Sequence, residues 1–155
     1  MAPDQPEGGP PGGPPAPPLW AEVALGQVLP QQSHRVTRAT LVRYAGASGD
    51  FNVIHWSSRI AQSVGLPDVI AHGMLTLALA GRIVTDWVGD PGRVVELTGR
   101  MTAPVVVPDD DLGVILDVSA EVTEKRADRL VRVAIQARVG DLRVLGRADA
   151  VLRLG

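Results

Sequence analysis

From residue 73 to 88 the chain is apolar on nearly every side, with Met74, Leu75, Leu77, Ala78, Leu79, Ala80, Ile83, Val84, Trp87 and Val88. Apolar positions recurring at three and four predict a helix, and a helix with so little polar face must be surrounded by protein on most sides. Arg82 and Asp86, four apart, are spaced to pair near its exposed end. The run Gly89-Asp90-Pro91-Gly92 stops it. Past Gly92 the period changes to two. Leu112, Val114, Leu116, Val118, Ala120 and Val122 alternate with Gly113, Asp117, Ser119 and Glu121, and Ile115 alone breaks the polar side. Val131, Val133, Ile135, Ala137 and Val139 repeat the alternation, as do Leu142, Val144, Ala148, Ala150 and Leu152. Residues 94–102 read as a fourth, rougher strand, and Gly140-Asp141 as a tight turn.

These strands predict an antiparallel meander with one dry and one wet face. The dry face needs a cover and the helix needs a wrapping, and nothing else in the chain supplies either. The predicted class is α+β, an antiparallel sheet curved around a long central helix.

The upstream elements are shorter. Residues 31–36 suit a short strand, and Thr37 an N-cap for a helix in which Leu41, Val42 and Ala45 fall at helical spacing. Gly46 and Gly49 end that helix, and Ser57-Ser58 introduce another over 59–64, closed by Gly65. Residues 1–18 are almost wholly Pro, Gly and Ala with a few charges. Such a segment cannot offset its conformational entropy, so a disordered tail is expected ahead of one domain over residues 19–155.

Composition removes several function classes. A net charge of −2 with dispersed basic residues lacks the footprint of a nucleic-acid binder. Cysteine is absent, which excludes a disulfide framework and a thiolate metal site. The chain shows no secretion signal and no apolar run long enough to span a bilayer. A cytoplasmic protein with no membrane partner is expected.

The candidate chemistry lies between these elements. Ala47-Ser48-Gly49-Asp50-Phe51-Asn52-Val53-Ile54-His55 sets a carboxylate and an imidazole five residues apart in a glycine-containing loop. Such a pair can hold water and share proton transfer. The spacing equally admits a turn-capping Asp50 beside a satisfied buried His55. It also admits a metal site from Asp50, His55 and His72, though a fourth ligand is missing. Ser48 or Ser57 would need a G-x-S-x-G elbow to complete a triad, and neither has one. Downstream, His72-Gly73 opens the long helix, where unpaired N–H groups and the helix dipole favour a developing oxyanion.

The residues from Tyr44 to His55, with Ile70-Ala71-His72-Gly73-Met74 following, resemble the hydratase-2 signature of MaoC-like (R)-specific enoyl-CoA hydratases and (3R)-hydroxyacyl-ACP dehydratases. The likeness continues through 87–92 and Thr102-Ala103-Pro104, and it leans toward the catalytic B-type subunit of the actinobacterial dehydratase. It implies a hot-dog fold and reversible dehydration of (3R)-hydroxyacyl thioesters, carried by CoA or ACP. Asp50 and His55 would hold the water, and the Gly73 N–H would stabilise the thioester oxygen. Asn52 would fix the loop or touch the substrate, and His72 would join Gly73 in the oxyanion and substrate-binding set. No metal or redox cofactor is implied. The resemblance also implies a homodimer, or a heterodimer with a related hot-dog subunit. A non-catalytic acyl-binding subunit and a hot-dog thioesterase are the alternatives. Two departures stand out. Val53 occupies a position commonly proline, and Gly81 stands where some homodimeric hydratases carry serine, a small residue that could leave room for an acyl chain.

Overall fold

A computed structural model describes residues 16–155, so the predicted tail lies outside it except for 16–18. In order, the elements are β1 (Gln32–Val36), α1 (Arg38–Ser48), a 3₁₀ turn (Val53–His55), α2 (Ser58–Ser63), α3 (Gly73–Val88) and a second 3₁₀ turn (Pro91–Arg93). There follow β2 (Val94–Met101), β3 (Val114–Lys125), β4 (Leu130–Val139), β5 (Leu142–Arg143) and β6 (Leu145–Arg153). The antiparallel sheet runs β1-β3-β4-β6-β2, with the short β5 paired to β4. α3 lies against β2, β3, β4 and β6. This is the hot-dog arrangement. No helix among the described residues is long and apolar enough to cross a membrane.

Both predicted periods reappear as burial. Leu116, Val118, Ala120 and Val122 of β3 point into the core, as do Val131, Val133, Ile135 and Ala137 of β4 and Leu145, Ala148, Ala150 and Leu152 of β6. Opposite them α3 buries Leu75, Leu77, Ala80, Ile83, Val84 and Val88. Two glycines let helix and sheet approach. A Cβ on Gly99 of β2 would stand 2.7 Å from Leu77 Cδ1, and one on Gly81 of α3 would stand 2.8 Å from Leu97 Cδ2. Each leucine fills the notch of the opposing glycine. The space beside Gly81 is therefore taken by Leu97 and is not an opening for an acyl chain.

Two predicted features are revised. Only β3, β4 and β6 form a meander; β2 joins the far edge, beside β6. The cause is the link after Met101, which runs back along the start of α3. There Ala71 N–H donates to Val105 O at 2.8 Å and Val107 N–H to Val69 O at 3.0 Å. The last strand is interrupted at Val144, whose N–H bonds Ala137 while its carbonyl accepts from Thr102 N–H. As expected, α3 is enclosed on most sides only: Met74, Ala78, Arg82 and Asp86 form an exposed stripe on the single chain, where Arg82 and Asp86 pair at 3.7 Å.

Arg38 braces the elements around the start of α3. Its Nε donates to Val107 O at 2.8 Å, and its Nη2 meets Asp68 Oδ2 at 2.8 Å. Nη1 reaches Ser58 Oγ at 3.4 Å. One guanidinium thus ties α1 to α2, to the loop before α3 and to the link after β2. The Ser58 hydroxyl, then the Val69 N–H, with a smaller part from Arg38, hold the Asp68 carboxyl below the usual carboxylate range, against desolvation.

Two predictions follow from packing and charge. Gly113 has φ +66°, and a Cβ there would lie 2.3 Å from Val36 O. Gly113→Ala should therefore destabilise by about 2–3 kcal/mol, read as a lowered midpoint in thermal unfolding; an unchanged midpoint would show that the β1–β3 corner gives way. For Asp68, a depressed folded pKa means its stabilisation is present above the unfolded value of about 4 and is lost as pH falls through the folded one. Asp68→Asn should thus be less stable than wild type at neutral pH, with the gap closing below about pH 4 in denaturant titrations. A gap constant across that range would leave the charge with no part in the brace.

Candidate active site

The site begins where α1 ends. Thr37 and Thr40 form a reciprocal capping box at its start, and Gly49, with φ 73°, turns the chain out of it. The Ser48 hydroxyl donates to Tyr44 O at 2.8 Å and accepts from Asp50 N–H at 3.2 Å. Asp50 Oδ1 accepts from Asn52 N–H at 3.1 Å, and Asn52 Oδ1 in turn accepts from Ile54 N–H at 3.3 Å. These side-chain-to-backbone bonds wind the loop into the 3₁₀ turn that ends on His55. Trp56 Nε1–H donates to Phe51 O at 3.1 Å, closing the loop on itself. Asn52 thus acts here on the loop. Val53 takes the first position of the turn, where a proline would need no N–H partner either.

Asp50 is exposed and His55 buried. His55 Nδ1 lies 2.7 Å from Ile70 O. A carbonyl only accepts, so Nδ1 carries the hydrogen and Nε2 keeps the lone pair. His72, 1% exposed, shows the opposite tautomer: its Nε2–H donates to Asp50 O at 3.0 Å. The two imidazoles stack with centroids 3.7 Å apart and planes at 25°. Asp50, His55 and His72 each bring one donor atom within 4.8 Å of the others, the same set that the sequence offered as a metal site. The geometry suits a metal poorly. Ring lone pairs lie in the ring planes, so two stacked imidazoles do not aim at one common point.

Gly73 starts α3, and its N-cap, His72, makes no side-chain bond to the first turn. The leading N–H groups of the helix therefore have no side-chain cap competing for them. Two cavities meet at this end. One, of about 380 Å³, is lined by His55, Ile70, Gly73, Thr76 and the stretch 101–105. The other, of about 450 Å³, is lined by Tyr44, Ser48, Asp50, His72, Met74 and, again, Gly73 and Met101. The fold brings every predicted site residue except Asn52 to the wall of one cavity or the other, with Gly73 on both. Met101 was missed. Its Cγ would lie 3.2 Å from a Cβ on Gly73, so its side chain covers the helix start between the cavities. Nothing in the strand alternation singles it out. Thr76 and Val105 were also missed, being placed there only by long-range contacts.

Comparison with known proteins bears on this geometry. The pattern of the MaoC like domain matches residues 21–140. A 3-hydroxybutyryl-CoA dehydratase of Methylorubrum extorquens is 32% identical over 126 residues, covering 80% of this chain and 75% of that protein. A solved MaoC-like dehydratase superposes with a TM-score of 0.86 and 35% identity over 92% of this chain, which spans only 44% of that one. The unliganded R-hydratase PhaJ1 of Pseudomonas aeruginosa superposes with a TM-score of 0.75 and 28% identity, over 88% of this chain and 85% of that one. With a match that takes in both the loop of Asp50 and His55 and the whole of α3, the chain belongs to the MaoC-like domain family.

Proposed function

We propose that the domain over residues 19–155 is a hydro-lyase that reversibly dehydrates (3R)-hydroxyacyl thioesters to trans-2-enoyl thioesters. One observation carries the reading. His55 Nδ1 is committed to Ile70 O, which leaves Nε2 free for proton transfer close to the Asp50 carboxylate and the uncapped start of α3.

In the hydration direction, Asp50 and His55 hold a water between them. Its oxygen attacks C3 as His55 Nε2 takes one of its protons. The π electrons move toward the thioester carbonyl, whose oxygen is met by the Gly73 N–H. The proton then returns to C2. A C3–O and a C2–H bond form, one O–H bond and the π bond break, and the sum is addition of water. Dehydration retraces the same steps. The elongated acyl chain would enter the first cavity, whose wall from Met101 to Val105 is largely apolar.

The substrate carrier, CoA or ACP, and the dimeric state belong to the same proposal. β2 lies at the open edge of the sheet, and Val95 on it is 55% exposed. Such an edge suits pairing with a second hot-dog subunit, identical or related. A cytoplasmic site of action is part of the same proposal.

The test is hydration of crotonyl-CoA by the purified chain, followed by loss of the enoyl-thioester ultraviolet absorbance. A longer enoyl thioester and co-expression with a neighbouring hot-dog protein extend the assay. Asp50→Asn and His55→Ala should each lower kcat by about 10²–10⁴-fold, with the fold intact by circular dichroism. Wild-type turnover in both variants would overturn the mechanism.

A further inference from the structure

Resting on that reading, we infer that His72 is a positioning residue for the reaction, one side chain that sets the spacing between Asp50 and His55. Three observations converge on it. Its Nε2–H holds the main-chain carbonyl of Asp50 at 3.0 Å. Its ring lies flat against the ring of His55, 3.7 Å between centroids. The edge of Tyr44 closes on it at 4.9 Å and 60°, so the imidazole is held within an aromatic stack. His72 thus touches both members of the pair, although they lie 22 and 17 residues away in the chain.

The remaining ring atom points to function over stability. His72 Nδ1 is buried with no hydrogen-bond partner among the described residues. A lone pair sealed from water is a cost that an apolar side chain in the same place would not incur. What the imidazole offers in return is a donor and a flat face on one ring.

Each contact controls a direction the reaction needs. The Ile70 bond fixes where His55 Nδ1 points, and the stack fixes the plane of the ring; together they aim Nε2. The bond to Asp50 O anchors the loop while the Asx turn with Asn52 N–H sets its carboxylate. Without His72 both groups survive, but the gap in which the water must sit is no longer held. Transition-state alignment suffers most, because substrate binding rests on the cavity walls. His72, 1% exposed, borders the second cavity and not the one the acyl chain enters.

Two substitutions separate the contacts. His72→Phe keeps a flat face against His55 and removes the donor, whereas His72→Gln keeps an N–H within reach of Asp50 O. In crotonyl-CoA hydration, His72→Phe should lower kcat by about 10²-fold with KM within about twofold, and His72→Gln should recover most of the loss. An unchanged kcat in His72→Phe, or a raised KM at unchanged kcat, would overturn the inference. A readout independent of turnover comes from long-range ¹H–¹⁵N correlation of wild-type protein, simplified by a chain with 3 histidines. The expected tautomers are Nε2–H for His72 and Nδ1–H for His55. Nδ1–H on His72 would sink the inference even in an active enzyme. The expected tautomers in a protein inert toward every enoyl thioester would instead sink the hydratase reading.

Discussion

Burial of α3 in the concave face of the sheet is the constraint on which the rest depends. A helix sixteen residues long carries unpaired N–H groups at its start wherever it is put, and the fold decides what they face. Here the Leu77–Gly99 and Leu97–Gly81 contacts lock the helix to β2, with no room to slide. Its N-terminus is held at the rim by the ribbon of residues 69–71 against 105–107. Because the N-cap is a histidine engaged elsewhere, the rim stays free of a capping side chain. Rigid packing from Leu77 to Gly81 of the helix thus makes chemistry available at its start.

The two histidines illustrate how backbone carbonyls assign roles to identical side chains. Ile70 O draws the hydrogen of His55 to Nδ1, and Asp50 O draws that of His72 to Nε2. The free lone pair of His55 lines a cavity, whereas the free lone pair of His72 is sealed in the core. One ring can exchange a proton with a ligand and the other cannot. The difference comes from position in the fold, since neither has an acidic side chain as its partner.

Much of this was legible from periodicity and local signals. The strands announced themselves by alternation and α3 by its length and apolarity, and Thr37, Gly49 and Ser57 marked helix ends where they were expected. Those features depend on neighbours a few residues away. What escaped depends on partners far along the chain. The placement of β2 beside β6 follows from a link that doubles back over α3, a pairing no period encodes. Gly81 read as vacant space because Leu97, sixteen residues on, is invisible as its occupant. Asp50 and His55 were found through their motif, but the tautomer of His55 follows from Ile70 O, and that contact exists only in the folded chain.

The loop around Asp50 shows how a local substitution is absorbed without loss of shape. A proline at position 53 would restrict φ at the first position of the 3₁₀ turn; valine leaves that freedom in the unfolded chain. The structure restrains it by other means: the two Asx bonds through Asp50 and Asn52, the Trp56–Phe51 closure and the anchor from His72. Three of these four involve side chains within six residues of position 53, so they form as the turn forms. The fourth comes from the N-cap of α3 and is made only once the helix is seated. The loop is therefore wound locally but aimed globally, and the carboxylate takes its final place when the core closes around α3.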